Sequence, residues 1–110
     1  MANTFKSYTK ASVGVAQTDA YTVPLSTTSV VIGFILSNRT ASDITASVVL
    51  NKSNVSADDV YIVKDILIPD ATFYDFNVGN KIILETGDKI QVSSNTSSSL
   101  DVLISVLEQT

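Results

Sequence analysis

The sequence predicts an all-β fold: a single antiparallel β-sandwich, jelly-roll-like, with about eight strands and an amino-terminal arm. Three observations carry this expectation. Val, Ile, Thr and Ser dominate, Ala and Leu do not recur at helical spacing, and no capping box leads an amphipathic run of ten or more residues. Short apolar alternations recur with turn signals roughly every ten residues. The 45% hydrophobic content in 110 residues suits one compact core, so residues 1–14 are read as the arm and 15–110 as one sandwich domain.

The arm carries Phe5 and Tyr8 as apolar anchors and Gly14 as a break, and is suited to add an edge strand. Ala20 to Val23 alternates until Pro24, which cannot donate to a central ladder. Ser29 to Leu36, SVVIGFIL, is apolar on both faces, with Val30, Ile32, Phe34 and Leu36 on one and Val31, Gly33 and Ile35 on the other. A strand of that kind is central and covered on both sides, and a glycine within it signals a bulge or a close backbone approach.

Ile44, Ala46, Val48 and Leu50 form an inner face against Thr45, Ser47 and Val49. After the polar connection 51–59, Val60 to Val63 leads through Lys64-Asp65 into Ile66 to Ile68, and Pro69-Asp70 turns the chain into a short strand at 72–76. The closing block, 80–108, reads as a β-meander: Ile82 and Leu84, a turn at Gly87 needing positive φ, then Ile90 and Val92, then Val102, Ile104 and Val106. Leu103 and Leu107 make its last strand apolar on the second face as well.

Composition excludes several functions. Net charge is -4, with +2 in the first ten residues and -6 in the remainder, so no basic stripe exists to displace counterions from a nucleic acid. Zero His removes the usual general base near neutral pH; zero Cys removes disulfides, thiolate metal sites and cysteine nucleophiles. The start MANTFKS lacks a signal-peptide core and no apolar run nears the ~20 residues of a membrane span, so synthesis in a cytoplasm without that export route is expected, and no membrane partner.

The carboxylates Asp58, Asp59, Asp88 and Asp101 show no paired spacing suited to acid and base work, and the isolated glycines form no phosphate loop. A calcium loop from Asn51, Asn54, Asp58 and Asp59 lacks the dense alternation of an EF-hand. Sequons at Asn38, Asn51, Asn54 and Asn95 read as polar loops. No catalytic residue, metal or cofactor is expected.

Mean hydropathy of +0.27 with 16% charge is apolar for so small a domain: either both faces of its sheets are buried, or part of its surface is meant for another subunit. The candidate assembly contacts are Phe5, Tyr8, Val31, Ile35, Tyr74, Phe76, Leu103 and Leu107, with Val49 on a further apolar outer face. Of the clustered aromatics, Phe73 and Tyr61 are assigned to the core, and Tyr74 and Phe76 to an edge or interface.

The succession YTVP (21–24), TSVVIGFILSN (28–38), ITASVVLN (44–51), IP (68–69), IILETGDKIQV (82–92) and LDVLISVLE (100–108) resembles small β-sandwich structural proteins of tailed bacteriophages, cyanophages among them. The resemblance spans the chain after about residue 15 and implies a non-enzymatic virion component, made in the host cytoplasm. Such a component would decorate or cement the capsid, neck or tail as a homo-oligomer, a trimer or larger, against coat, neck or tail proteins. The alternative is a carbohydrate- or receptor-binding sandwich of an adhesion device, using Tyr61 and Tyr74.

Overall fold

A computed structural model describes residues 3–54, 56–75 and 81–110. Nine strands follow in order: β1 (Asn3–Val13), β2 (Thr18–Thr22), β3 (Thr28–Asn38), β4 (Ile44–Asn51), β5 (Val60–Ile68), β6 (Phe73–Asp75), β7 (Ile82–Leu84), β8 (Lys89–Ser94) and β9 (Leu100–Gln109). They make two antiparallel sheets. Sheet A runs β1-β9-β3-β6 with β7 also on β3, and sheet B runs β2-β8-β4-β5.

The pairings are nested, β1 with β9, β2 with β8, β3 with β6 and β7, and β4 with β5. The chain is therefore one long antiparallel ribbon, wound so that β9 also meets β3 and β8 also meets β4. That is the jelly-roll plan, with one of its eight strands divided into β6 and β7. The segment read as an arm is β1 itself, an edge strand paired with β9 from Asn3 to Lys10 and again at Val13, and it breaks at Gly14.

The expected meander at 80–108 does not form. β7 belongs to sheet A, β8 to sheet B and β9 to sheet A, so each connection crosses between layers. Alternation reports that one face of a strand is buried, and a strand facing the same core from the opposite sheet alternates identically. Gly87 does take positive φ, at 84°, in the corner between the sheets.

The core lies between the layers. Val31, Phe34, Leu36, Val102, Ile104 and Val106 of sheet A meet Ile44, Ala46, Val48, Ile68, Ile90 and Val92 of sheet B, all at 3% exposure or less. Each such Val, Leu, Ile or Phe contributes roughly 1.5–3 kcal/mol over an exposed one.

The predicted faces of β3 need one correction. Register slips between Val31 and Gly33, leaving Ile32 as the extra residue of a bulge. Val31 therefore points inward before the bulge, and Phe34 and Leu36 point inward after it. A bulge inverts the parity of every later residue, which strict alternation from Val31 to Ile35 did not allow for.

Two polar clamps tie distant segments. Asn38, 4% exposed, donates to the carbonyls of Ser42, Ile68 and Pro69 and accepts from Thr40, which closes the β3–β4 loop over the end of β5. Its sequon amide is thus committed to the interior. At the other end, the fully buried Asp88 accepts from the Ser53 and Glu85 amides, each at 2.9 Å, and pairs with Lys52 Nζ at 2.7 Å. Burial raises the Asp88 pKa, but Lys52 and the two amides outweigh it and hold the carboxyl below its usual value.

Candidate assembly surface

The register places an apolar row across the outer face of sheet A. Phe5 of β1 lies opposite Leu107 of β9, which lies opposite Val30 of β3, which lies opposite Ile83 of β7. Phe5 is 74% exposed and Ile83 65%, so the row is open at both margins. A second row runs Thr9, Leu103 and Ile35, and between the two lies a small-residue row of Ser7, Ser105 and Gly33. A Cβ on Gly33 would stand 3.5 Å from the Ser105 Cβ, an ordinary contact, so the bulge rather than crowding explains the glycine.

Near the far end of this face is a depression of about 310 Å³ lined by Thr9, Ala11, Ile35, Ser37, Asp101 and Leu103, with Lys10 and Val102 also at its wall. The exposed Phe73 stands beside it, opposite Ser37. Arg39 borders it too, donating to Ser12 Oγ and pairing with Asp101 at 3.2 Å.

Sheet B presents a different outer surface. Thr45, Ser47, Gln91 and Ser93 face out, Asp19 pairs with Lys89 at 3.5 Å, and Gln17 and Gln91 both donate side-chain amides there. Apolar groups occur toward the β5 edge, at Val49, Tyr61 and Leu67. That edge is interrupted by a bulge in which Asp65 takes a φ of 52° and bonds Ser47, an irregularity that discourages strand addition.

The candidate contacts separate accordingly. Phe5, Ile35, Leu103 and Leu107 share the outer face of sheet A. Val31 does not; it is fully buried on the inner side for the reason given above. Tyr8 sits three residues from Phe5 and so turns inward, its ring 4.5 Å from that of Tyr21 and its hydroxyl donating to Glu108 at 2.8 Å. Tyr74 also turns inward and packs against the core, while Phe76 lies outside the described residues.

The core assignment of the aromatics is reversed. Phe73 and Tyr61 are exposed, 62% and 56%, and it is Tyr74 that packs inside. Tyr61 and Tyr74 lie in different sheets, and Lys64 Nζ stands 5.3 Å from the Tyr61 ring centre, so the two form no common sugar platform.

Sequence reasoning missed Glu108 altogether. It is 4% exposed and accepts from Tyr21 at 2.6 Å and Tyr8 at 2.8 Å, with Lys6 Nζ 3.4 Å from its other oxygen. Because the Tyr21 proton goes to the carboxylate, Ser29 must donate to the Tyr21 oxygen, 2.6 Å away. Burial raises the Glu108 pKa, yet the two tyrosines and Lys6 outweigh it and keep the carboxyl below its ordinary value. Burial and the adjacent carboxylate push Tyr8 up to about 12. This cluster pins β1 to β9, β2 and β3. Its one sequence signal is a charged residue at an inward position of an otherwise apolar strand.

Among the described residues, no group of three or more acidic side chains could hold a metal ion. Asn51 and Asp59 of the calcium candidate bond each other at 3.0 Å, and Asp59 also caps the Lys52 amide.

In class, then, the chain is a two-sheet jelly-roll sandwich with one apolar outer face. No protein-family profile matches it, and no curated protein sequence matches it either. Among solved structures it is similar to a chain described as "Bacillus endospore appendages form a novel family of disulfide-linked pili", at a TM-score of 0.60 and 9% identity, over 99% of this chain and 87% of that one. At that identity the likeness establishes the fold alone.

Proposed function

We propose that this chain is a non-enzymatic structural subunit, an accessory component of a tailed-phage virion that oligomerises and packs against coat, neck or tail proteins. The observation that carries this reading is the outer face of sheet A. β1 and β3 of eleven residues and β9 of ten, at about 3.3 Å per residue and about 4.8 Å apart, with the three-residue β6 and β7 along the far side of β3, give a face of roughly 600 Å², three quarters of the ~800 Å² each partner contributes to a standard interface. Its centre is Leu, Val, Ile, Ser and Gly; Asp75, opposite Ile35, and Asp101 stand toward the margins with Lys10 at the wall of the depression, and Lys6 and Glu108 pair with each other. Small side chains between apolar rows let a second flat surface approach closely.

The pilus chain of the same fold supports a building-block role in general terms, and the phage setting rests on the sequence resemblance. Disulfide linkage cannot be shared, since the sequence has no cysteine. Cohesion has to come from packed apolar area and edge contacts instead.

Mass spectrometry of purified phage particles tests the reading: the chain is expected at stoichiometric copy number. Its detection only in lysate, never on particles, would overturn the virion assignment. The variant Ile83→Asp, which places a charge at the exposed β7 margin of the row, should abolish incorporation while leaving the fold intact.

A further inference from the structure

We propose that two copies of this chain pack face to face through the outer surfaces of sheet A, about a two-fold axis running along the boundary between β9 and β3. The inference rests on the assembly reading above and deepens it by naming the partner, a second copy, and the geometry of the contact.

A second copy is selected by the way the outward residues are sorted. Across the β9–β3 boundary Leu107 lies opposite Val30, Ser105 opposite Gly33, Leu103 opposite Ile35 and Asp101 opposite Ser37. Each row is thus of one kind on both sides of the boundary: apolar, small, apolar, polar. A two-fold axis along that boundary lays β9 of one copy over β3 of the other with no shift along the strands, so every row meets itself. Apolar groups cover apolar groups, and Ser105 over Gly33 leaves space at the centre for the two sheets to close to about the 10 Å of packed layers.

The same rotation matches the margins, because it lays β1 over β7 and β6 of the second copy. Phe5 comes over Ile83, so the two open ends of the first apolar row cover each other. In the second row Thr9 comes over Asp75, and beyond it Asp101 comes over Ser37, a hydroxyl donor facing a carboxylate each time. No two carboxylates are superposed.

The alternative two-fold, across the strands through the row of small residues, fits worse. It sets Ile83 over Asp75, stripping water from a carboxylate against an apolar side chain, and Phe5 over Thr9. The face therefore specifies an orientation as well as a partner. Two faces of roughly 600 Å² bury about 1,200 Å² together, the lower bound for a specific, stable interface. A dimer held by that area is reversible.

The test is sedimentation equilibrium of the intact chain from micromolar to millimolar concentration, at about physiological salt. Wild type is expected to dimerise. Phe5→Lys and Ile83→Asp, both at exposed positions, should each weaken the dimer at least about tenfold, with circular dichroism and melting temperature unchanged. The double variant Phe5→Lys/Ile83→Asp should recover about fivefold or more over either single variant, since each new lysine meets a new aspartate twice across the axis. A mixture of the two single variants should favour the mixed dimer over either self-dimer. Within one copy Phe5 and Ile83 stand three strand spacings apart, about 14 Å, farther than exposed charges interact in such salt, so recovery can come only from contact between copies. Wild type monomeric throughout, dimerisation unaffected by the single variants, or a double variant that recovers nothing would overturn the proposal. The particle mass spectrometry decides the assembly reading separately: stoichiometric incorporation upholds that reading even where the dimer fails.

Discussion

The two sheets bury their inner faces equally well and differ in what they turn outward. Sheet A shows rows of Phe5, Leu107, Val30 and Ile83 and of Leu103 and Ile35; sheet B shows Ser, Thr and Gln with the Asp19–Lys89 pair, its apolar groups, Val49, Tyr61 and Leu67, being confined to the β5 edge. Both are antiparallel sheets of four or five strands in one domain, so the fold does not require this asymmetry. An isolated sandwich is served by two polar outer faces, because exposed apolar rows invite association. Stability is carried by the inner sides of these strands, and the proposed assembly role would fall to the outer side of sheet A.

The sharpest way to break the comparison is to move a charge from one side of sheet A to the other. Val31→Asp puts an unpaired carboxylate at a fully buried position and should unfold the domain, read as loss of the cooperative melting transition. Ile83→Asp on the outer face should change stability by no more than about 0.5 kcal/mol while removing assembly. If both variants unfolded the chain, the division of labour would be wrong.

Next in size is Glu108. Glu108→Ala leaves the Tyr8 and Tyr21 hydroxyls and the Lys6 ammonium without their acceptor, and should cost about 3 kcal/mol in urea denaturation, with the β1 amides losing hydrogen-exchange protection first. The pH dependence follows from the same group and from Asp88. Both carboxyls are held below their ordinary values in the folded state, so their stabilisation is complete above the ordinary carboxylate range, near pH 4, and is lost as pH falls through the folded values. The melting temperature should be level from about pH 8 to pH 5 and fall below about pH 4, with a shallower acid limb in Glu108→Gln.

The smallest effect belongs to the outer face of sheet B. Ser93→Lys is expected to alter neither melting temperature nor association state, by calorimetry and sedimentation, because its neighbours there are polar and solvated. Loss of assembly in this variant would mean that both faces are contacts.

Much of this arrangement was legible in the residues. Ile44, Ala46, Val48 and Leu50 face inward as their alternation required, and the jelly-roll class followed from many short strands between turn signals. Gly33 marks the bulge, but the chain does not state on which side of a bulge the parity resets, so strict alternation misplaces Val31. Pairing was the least legible level: β7, β8 and β9 alternate as a meander would, and nothing local records that they alternate between layers. For the candidate surface, Ile35, Leu103 and Leu107 are marked by apolarity on both strand faces, and Phe5 as an apolar anchor of the amino-terminal segment. Tyr8 did not, because a hydroxyl that satisfies a buried carboxylate a hundred residues away leaves no local pattern.

The nested pairing has a consequence for the order in which the molecule can be made. Asn3 pairs with Gln109, and β9 is the strand between β1 and β3. On a ribosome, β4 and β5 can close their hairpin early, but β1 has no sheet to join until Leu100–Gln109 has emerged. Sheet A, whose apolar outer rows are the hazard, is thus the last part completed, and the chain is expected to fold slowly for its size, as long-range β topologies do. The apolar outer rows are in this way withheld until the domain beneath them is whole.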